Sequence, residues 1–189
     1  IAHGLVGSEM CIRDRVMRNA FGIEPHAAFG YSMGEVSMLF SLGVWGSMDP
    51  MSKVLNASPL FHERIAGPMN SVREYWKLKD TDFQNESLWN WYTLRAEPEL
   101  VAKALEKRER VYLVLINTPQ EVVIAGEPSA CKELIQELKC ESHEIPVTDV
   151  VHCPPVQSEY EEIKKVHTNK VVDKPCLLYT SDAADEAIG

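Results

Sequence analysis

A serine between two glycines is the residue of this chain best suited to covalent chemistry. The segment Gly30-Tyr31-Ser32-Met33-Gly34-Glu35 has the pattern G-x-S-x-G followed directly by glutamate. Small residues on both sides of a serine allow a sharp turn from a strand into a helix, and that turn leaves the hydroxyl exposed beside the next backbone N–H groups. Ser32 is therefore the predicted nucleophile of an acyl-enzyme reaction.

A serine hydroxyl is a weak nucleophile near neutral pH, so Ser32 needs a general base. His152 is the predicted base, because it follows the last predicted strand and precedes Cys153-Pro154-Pro155, where two prolines stiffen the loop. The other candidates lie at a strand end, in charged helices or on an outward-facing strand position: His26, His62, His167 and His143. Adjacent residues of an extended loop point apart, so Cys153 is expected to pack rather than react.

The elements around Ser32 are those of an α/β layer. A helix ending at Gly22 leads to a short strand over residues 26–29, which is expected to be buried, and residues 35–42 are expected to form the helix after the serine. From Trp91 onward the hydrophobic pattern predicts strand, helix, strand, strand, helix and strand, ending at residues 144–147. This β-α-β-β-α-β order is that of a ferredoxin-like unit.

Both ends of the chain read as translated adapter DNA. Residues 9–14 and residues 176–181 can be encoded by the same DNA element in opposite orientations, and that element resembles a transposase mosaic end used in sequencing libraries. Residues 1–15 and 176–189 are therefore treated as adapter-like artefacts and carry no functional prediction. The credible chain is residues 16–175, which is enough for one ordinary domain or for part of a larger one.

Excluding the two ends changes the charge balance. Lys and Arg fall from 19 to 17 and Asp and Glu from 28 to 23, so the net charge is −6 rather than −9. A moderately acidic chain argues against nucleic acid or an anionic membrane as the main partner. The three remaining cysteines show no C-x-x-C spacing, which indicates neither a disulfide framework nor a zinc site and is typical of a reducing cytoplasm. No metal is predicted.

Three ordered motifs resemble a known family. They are the serine segment at residues 30–35, Asn117-Thr118-Pro119 with Val122-Val123-Ile124-Ala125-Gly126, and Ile145-Pro146-Val147 followed by His152. In this order they resemble the acyl-CoA:acyl carrier protein acyltransferases, the family of the malonyl transacylases and the polyketide synthase acyltransferase domains. The serine segment and its neighbours also look like the PfaB-type component of bacterial polyunsaturated fatty acid synthases.

The resemblance implies a Ser–His dyad on an α/β-hydrolase-like layer. Ser32 accepts the acyl group, His152 acts as general base and acid, and the backbone N–H of Met33 donates to the oxyanion. The activity would be that of an acyl-CoA:ACP acyltransferase, in EC class 2.3.1, which moves an acyl group from CoA to the phosphopantetheine thiol of a carrier protein. Both are substrates, and no bound cofactor is expected.

The resemblance also implies domain boundaries and partners. Residues 16–90 would be the first part of the large subdomain, residues 91–147 the small ferredoxin-like subdomain, and residues 148–175 the return to the large subdomain. The expected partners are an acyl carrier protein and other synthase modules. The loop with a second oxyanion donor would precede residue 16, so the chain reads as an internal fragment, weakly active or inactive by itself.

The acyl group is predicted from a departure from the family pattern. Malonyl-selective members carry an arginine in the second helix after the serine, which can bind a carboxylate at two points. The corresponding stretch, residues 53–59, has none, so a monocarboxylic acyl group is expected unless Lys53 or Arg64 takes that place. The predicted substrate pocket is lined by four residues: Tyr31, Asn56, Ser58 and Val151.

Three alternatives remain open from the sequence. An α/β-hydrolase-type esterase uses the same serine turn, although the predicted ferredoxin-like unit between Ser32 and His152 argues against it. A catalytically silent carrier-docking module has the same fold. One basic cluster of the small subdomain forms either a solvated helix face or a surface for an acidic carrier protein; it comprises Lys103, Lys107, Arg108 and Arg110.

Overall fold

The computed structural model describes residues 16–46, 49–79, 82–83, 87–172 and 178–180. The described residues form two compact units. The first contains the residues up to Ala57 and those from Lys164 onward, and the second is Ser58–Ile163. Among the described residues, no helix has the length and apolar character needed to cross a bilayer. The subdomain boundaries between residues 90 and 91 and between residues 147 and 148 remain a prediction.

The first unit contains the predicted succession of helix, strand, turn and helix. Helix α1 covers residues 16–21 and ends at Gly22, whose φ of 64° suits a residue without a side chain. Strand β1 is Ala27–Phe29, helix α2 is Met33–Ser41, and helix α3 is Asp49–Ala57. Helix α2 buries three apolar side chains, Val36, Met38 and Phe40. These residues anchor the helix whose first turn follows Ser32.

Strand β1 is not buried, and this expectation was wrong. Phe29 is 83% exposed, and the only strand that pairs with β1 among the described residues is the parallel strand β6, Leu178–Thr180. A strand is buried only where other layers cover its faces, and an apolar run in the sequence does not reveal whether they do. Because β6 lies in the segment that reads as translated adapter, it carries no functional assignment.

The second unit begins with a 3₁₀ helix at Pro59–Phe61 and helix α4 at Asn70–Tyr75. The following strands and helices are β2 at Asn90–Leu94, α5 at Pro98–Leu105, β3 at Val111–Thr118, β4 at Glu121–Gly126, α6 at Pro128–Leu138 and β5 at Ser142–Ile145. A second 3₁₀ helix, Pro154–Glu159, leads into α7 at Tyr160–His167, which continues into the first unit.

The predicted ferredoxin-like unit is present. Its sheet has the order β3-β4-β2-β5, and every neighbouring pair is antiparallel. Buried side chains from the sheet and from α5 and α6 form one apolar core that includes Leu94, Val101, Val122, Ile124 and Leu134. The strand β2 is central, so hydrogen bonds hold its backbone on both sides. The last strand ends at Ile145 rather than at residue 147, because Pro146 has no N–H to donate.

Candidate active site

Ser32 lies at the tip of a strained turn between β1 and α2. It has φ 50° and ψ −121°, a conformation that residues with a side chain rarely adopt, and it is exposed to solvent. The turn is closed by two backbone hydrogen bonds: the N–H of Gly34 donates to the carbonyl of Tyr31 at 2.8 Å, and the N–H of Glu35 donates to the carbonyl of Ser32 at 3.0 Å. Strain of this kind concentrates at functional sites. The geometry is the one that G-x-S-x-G predicts.

The two glycines of the motif are not equivalent. A Cβ added at Gly30 would lie 2.3 Å from the Cα of Glu35, so the turn closes only because residue 30 has no side chain. A Cβ added at Gly34 would meet no described atom within 4 Å outside the backbone of its own helix. The close approach therefore requires a glycine only at residue 30, since Gly34 already lies in the first turn of α2, where its backbone is helical.

The residues on either side of Ser32 remain accessible. Tyr31 is 44% exposed and Met33 is 48% exposed, so Met33 does not pack in the core as Met38 does. Met33 is the first residue of α2, and the first N–H groups of a helix have no acceptor within it. Its N–H therefore suits the predicted oxyanion role, which remains a prediction.

His152 lies in the second unit at another strained position. Its φ is 57°, and it is half-buried. Pro154 and Pro155 begin the 3₁₀ helix directly after Cys153, and the side chain of Pro155 is buried. The two prolines therefore fix the chain on one side of His152, as the sequence predicts. Because Ser32 and His152 belong to different units, their pairing remains a prediction.

Cys153 has the properties of a packing residue rather than a nucleophile. Burial raises the pKa of its thiol to about 12, and the same cause raises that of Cys131 to about 12. A thiol must lose its proton to attack or to bind a metal, so both stay protonated at neutral pH. Within the part of the chain that the structure describes, no group of three or more His, Cys, Asp or Glu side chains is arranged to hold a metal ion.

Arg64 is engaged by two carboxylates. Its guanidinium donates to Glu74 Oε2 at 2.7 Å, and to Glu159 Oε1 at 2.6 Å from Nη2 and 2.9 Å from Nε. Glu74, and then Glu159, hold the pKa of Arg64 above its usual value, and Arg64 in turn lowers the pKa of Glu74. Glu159 is buried, so withdrawal of Arg64 would leave an unpaired buried charge. The second unit therefore uses Arg64 in its own packing.

The four predicted pocket residues are divided between the two units. Tyr31 and Asn56 lie exposed in the first unit, and Val151 lies half-buried beside His152 in the second. The hydroxyl of Ser58 accepts a hydrogen bond from the N–H of Leu60 at 3.2 Å, which caps the 3₁₀ helix. Ser58 thus has a structural role, and the pocket itself remains a prediction.

The predicted basic cluster is divided. Lys103, Lys107 and Arg108 line a groove of about 580 Å³ between α5 and α6. Arg108 is paired there with Glu133 and Glu137, so much of its charge is neutralised. Arg110 is not among the lining residues: it lies 5.4 Å over the Trp76 ring and pairs with Glu127. A run of nearby basic residues does not show which of them already have acidic partners, and carrier docking remains a prediction.

The sequence did not reveal the contacts that hold the His152 loop. Trp91 and Ile65 each form a hydrogen bond with the loop that precedes His152, at residues 149 and 150. The two partners of the first bond are 58 positions apart in the chain, and those of the second bond are 85 positions apart. No short pattern carries such pairings, so only the folded structure could identify them.

Solved acyltransferase domains have the same fold. The acyltransferase domain of the polyketide synthase PpsC of Mycobacterium tuberculosis matches 95% of this chain and 50% of its own, with a TM-score of 0.65 and 17% identity. An acyl carrier protein S-malonyltransferase from Vibrio cholerae matches 90% of this chain and 52% of its own, with a TM-score of 0.62 and 22% identity. The fold is therefore the α/β fold of acyltransferase domains.

The chain also has a relative at the level of sequence. One of the subunits of the polyunsaturated fatty acid synthase of a Thraustochytrium species is 33% identical over 164 residues, which cover 84% of this chain and 8% of that protein. No protein-family model matches the chain. The chain thus resembles a polyunsaturated fatty acid synthase subunit in sequence and has the fold of acyltransferase domains. It spans less than a tenth of the length of this relative.

Proposed function

We propose that this chain is the part of an acyltransferase domain that carries the nucleophile and the general base. Ser32 takes an acyl group from CoA and passes it to the phosphopantetheine thiol of an acyl carrier protein, within fatty acid, polyunsaturated fatty acid or polyketide synthesis. The observation that carries the proposal is the exposed Ser32 at φ 50°, directly before helix α2. The similarity to a polyunsaturated fatty acid synthase subunit and the acyltransferase-domain fold support it.

The chemistry takes two balanced steps. In the first step Ser32 Oγ attacks the thioester carbonyl while His152 removes the hydroxyl proton, and the Met33 N–H stabilises the oxyanion. The C–S bond breaks, CoA leaves with that proton as a thiol, and an ester forms on Ser32. In the second step the carrier thiol attacks the ester, His152 relays its proton to the Ser32 oxygen, and the acyl carrier thioester is released.

The proposed donor carries a monocarboxylic acyl group. A malonyl carboxylate inside a site needs a cationic partner, because an unpaired buried charge is costly. Residues 53–59 contain no arginine, and Arg64 is held by Glu74 and Glu159. Lys53 is exposed on α3, where solvent screens its charge. These observations favour an acyl group without a free carboxylate.

A comparison of donors tests this choice. In a version of the protein extended at both ends, kcat/KM for transfer to a carrier protein is expected to be at least about tenfold higher with acetyl-CoA than with malonyl-CoA. The matched variant is Arg64→Lys, which keeps a positive charge near Glu159. It is expected to lower stability without changing the ratio between donors. A preference for malonyl-CoA that Arg64→Lys removes would assign carboxylate binding to Arg64 instead.

The same assay separates the proposal from an esterase. A carrier acyltransferase delivers the acyl group to the phosphopantetheine thiol, whereas an esterase delivers it to water. Omitting the carrier protein is expected to stop turnover after one acyl group per chain. Continued release of free acid at the same rate would identify a hydrolase, and the absence of any acylation would favour a silent docking module.

A further inference from the structure

The loop that carries His152 is held at one peptide unit. The carbonyl of Asp149 and the N–H of Val150 belong to the same peptide group. The indole N–H of Trp91 donates to the Asp149 carbonyl at 2.9 Å, and the backbone N–H of Val150 donates to the carbonyl of Ile65 at 2.7 Å. Since the carbonyl and N–H of a trans peptide point in opposite directions, the unit is clamped from both sides.

Trp91 and Ile65 are both buried and held by backbone hydrogen bonds of their own. Trp91 is 3% exposed and lies in β2, the central strand, where it is paired with Ala125 of β4 and Ile145 of β5. Ile65 is 1% exposed, and its own N–H donates to the carbonyl of Leu60 at 2.9 Å. The Val150 side chain is fully buried. The position of the loop is therefore fixed relative to the sheet by these hydrogen bonds.

Only Val151 separates the clamped peptide from His152. His152 has a φ of 57°, and a residue keeps such a strained conformation only when the surrounding structure imposes it. On its other side, the 3₁₀ helix at Pro154–Glu159 fixes the chain, and Arg64 binds Glu159 of that helix. The chain is thus held both before and after the strained residue.

We propose that Trp91 is a positioning residue for His152. Its indole N–H and the Ile65 carbonyl bind the two sides of the Asp149–Val150 peptide, and this fixes the orientation of the loop that carries the His152 imidazole. This rests on the proposed role of His152 as general base. Trp91 does not act on the substrate. A base that is displaced by a fraction of an ångström loses rate in the chemical step rather than in binding.

Trp89 supplies a matched control. It is a second buried tryptophan, 2% exposed, and its indole N–H has no hydrogen-bond partner among the described residues. Trp89→Phe and Trp91→Phe therefore make the same change in size at neighbouring buried positions. Only Trp91→Phe removes a hydrogen bond to the loop, so a difference between the two variants reports the clamp.

The first measurement is amide hydrogen exchange in the full chain. Trp91→Phe is expected to accelerate exchange at the Val150 N–H at least about tenfold, because the peptide loses one of its two holders. Trp89→Phe is expected to leave it within about twofold of the wild type. Equal protection of Val150 in both variants would overturn the clamp.

The second measurement is activity in the version extended at both ends. Trp91→Phe is expected to lower kcat about five- to tenfold with KM for acyl-CoA unchanged, which is the range that one lost hydrogen bond gives. In a His152→Gln background it is expected to cause no further loss beyond about twofold. An equal loss in both backgrounds would show a general structural effect and overturn the positioning role.

The two proposals fail differently. If His152→Gln keeps full activity, His152 is not the base, and the positioning role of Trp91 is overturned as well. Faster exchange of the Val150 amide in Trp91→Phe would then still show that Trp91 holds the loop. If His152→Gln loses activity while Trp91→Phe behaves as Trp89→Phe, the proposed function stands and the positioning role is overturned.

Discussion

Ser32→Ala is expected to lower the rate of acyl transfer by about 10⁴-fold or more, the range seen when a covalent nucleophile is removed. Without the hydroxyl there is no atom to carry the acyl group, and the other parts of the site cannot compensate. Alanine keeps the Cβ, so the backbone strain at φ 50° is the same. The loss is therefore expected without a change in thermal unfolding. Single-turnover kinetics with acetyl-CoA, in the version extended at both ends, measure it.

The control is Ser41→Ala, at the end of helix α2, which follows Ser32. Ser41 is buried, and its hydroxyl donates to the carbonyl of Ser37 at 2.7 Å. Its loss is expected to lower the free energy of unfolding by about 0.5–1.5 kcal/mol, with little change in the acylation rate. If Ser32→Ala kept more than about one hundredth of the wild-type rate, Ser32 would not be the nucleophile.

The second large effect is expected for Gly30→Ala. A Cβ there would lie 2.3 Å from the Cα and 2.4 Å from the backbone N of Glu35. Because both atoms belong to the backbone, the turn must open. The expected results are a loss of about 1–3 kcal/mol in the free energy of unfolding and a fall of at least about 10²-fold in acylation rate, since Ser32 moves with the turn.

Gly34→Ala is the matched substitution for this experiment. It adds the same methyl group to the other glycine of the motif, where no described atom lies within 4 Å outside the helix's own backbone. Alanine is also favoured over glycine within helices by about 1 kcal/mol. Stability is therefore expected to be unchanged or higher. Equal losses in both variants would mean that the tight approach of Gly30 to Glu35 does not hold the turn.

The sequence predicts the parts of the fold that depend on local patterns. The serine turn follows from the G-x-S-x-G spacing, and the ferredoxin-like unit follows from alternating apolar residues with proline at the start of α5 and α6. The exposure of β1 was not predictable in this way, because it depends on which layers cover the strand. The end of the last strand was misplaced by two residues, although Pro146 carried the signal.

The contacts that determine side-chain roles lie beyond such patterns. The sequence left Arg64 open as a carboxylate-binding residue, and only the fold brings Glu74 and Glu159 to its guanidinium. Likewise, the fold separates Arg110 from the other basic residues and places the Trp91 N–H against the His152 loop. Residue types and spacing thus predict the candidate catalytic residues, whereas their supporting contacts arise from long-range packing.

The central claim is that Ser32 carries the acyl group, and covalent labelling tests it most directly. The version extended at both ends is incubated with acetyl-CoA without a carrier protein, and the acetylated peptide is mapped by mass spectrometry. We expect one acetyl group on Ser32, absent from Ser32→Ala and retained in Cys153→Ala, whose wild-type thiol is protonated. An acetyl group on Cys153, or one that persists in Ser32→Ala, would contradict this claim.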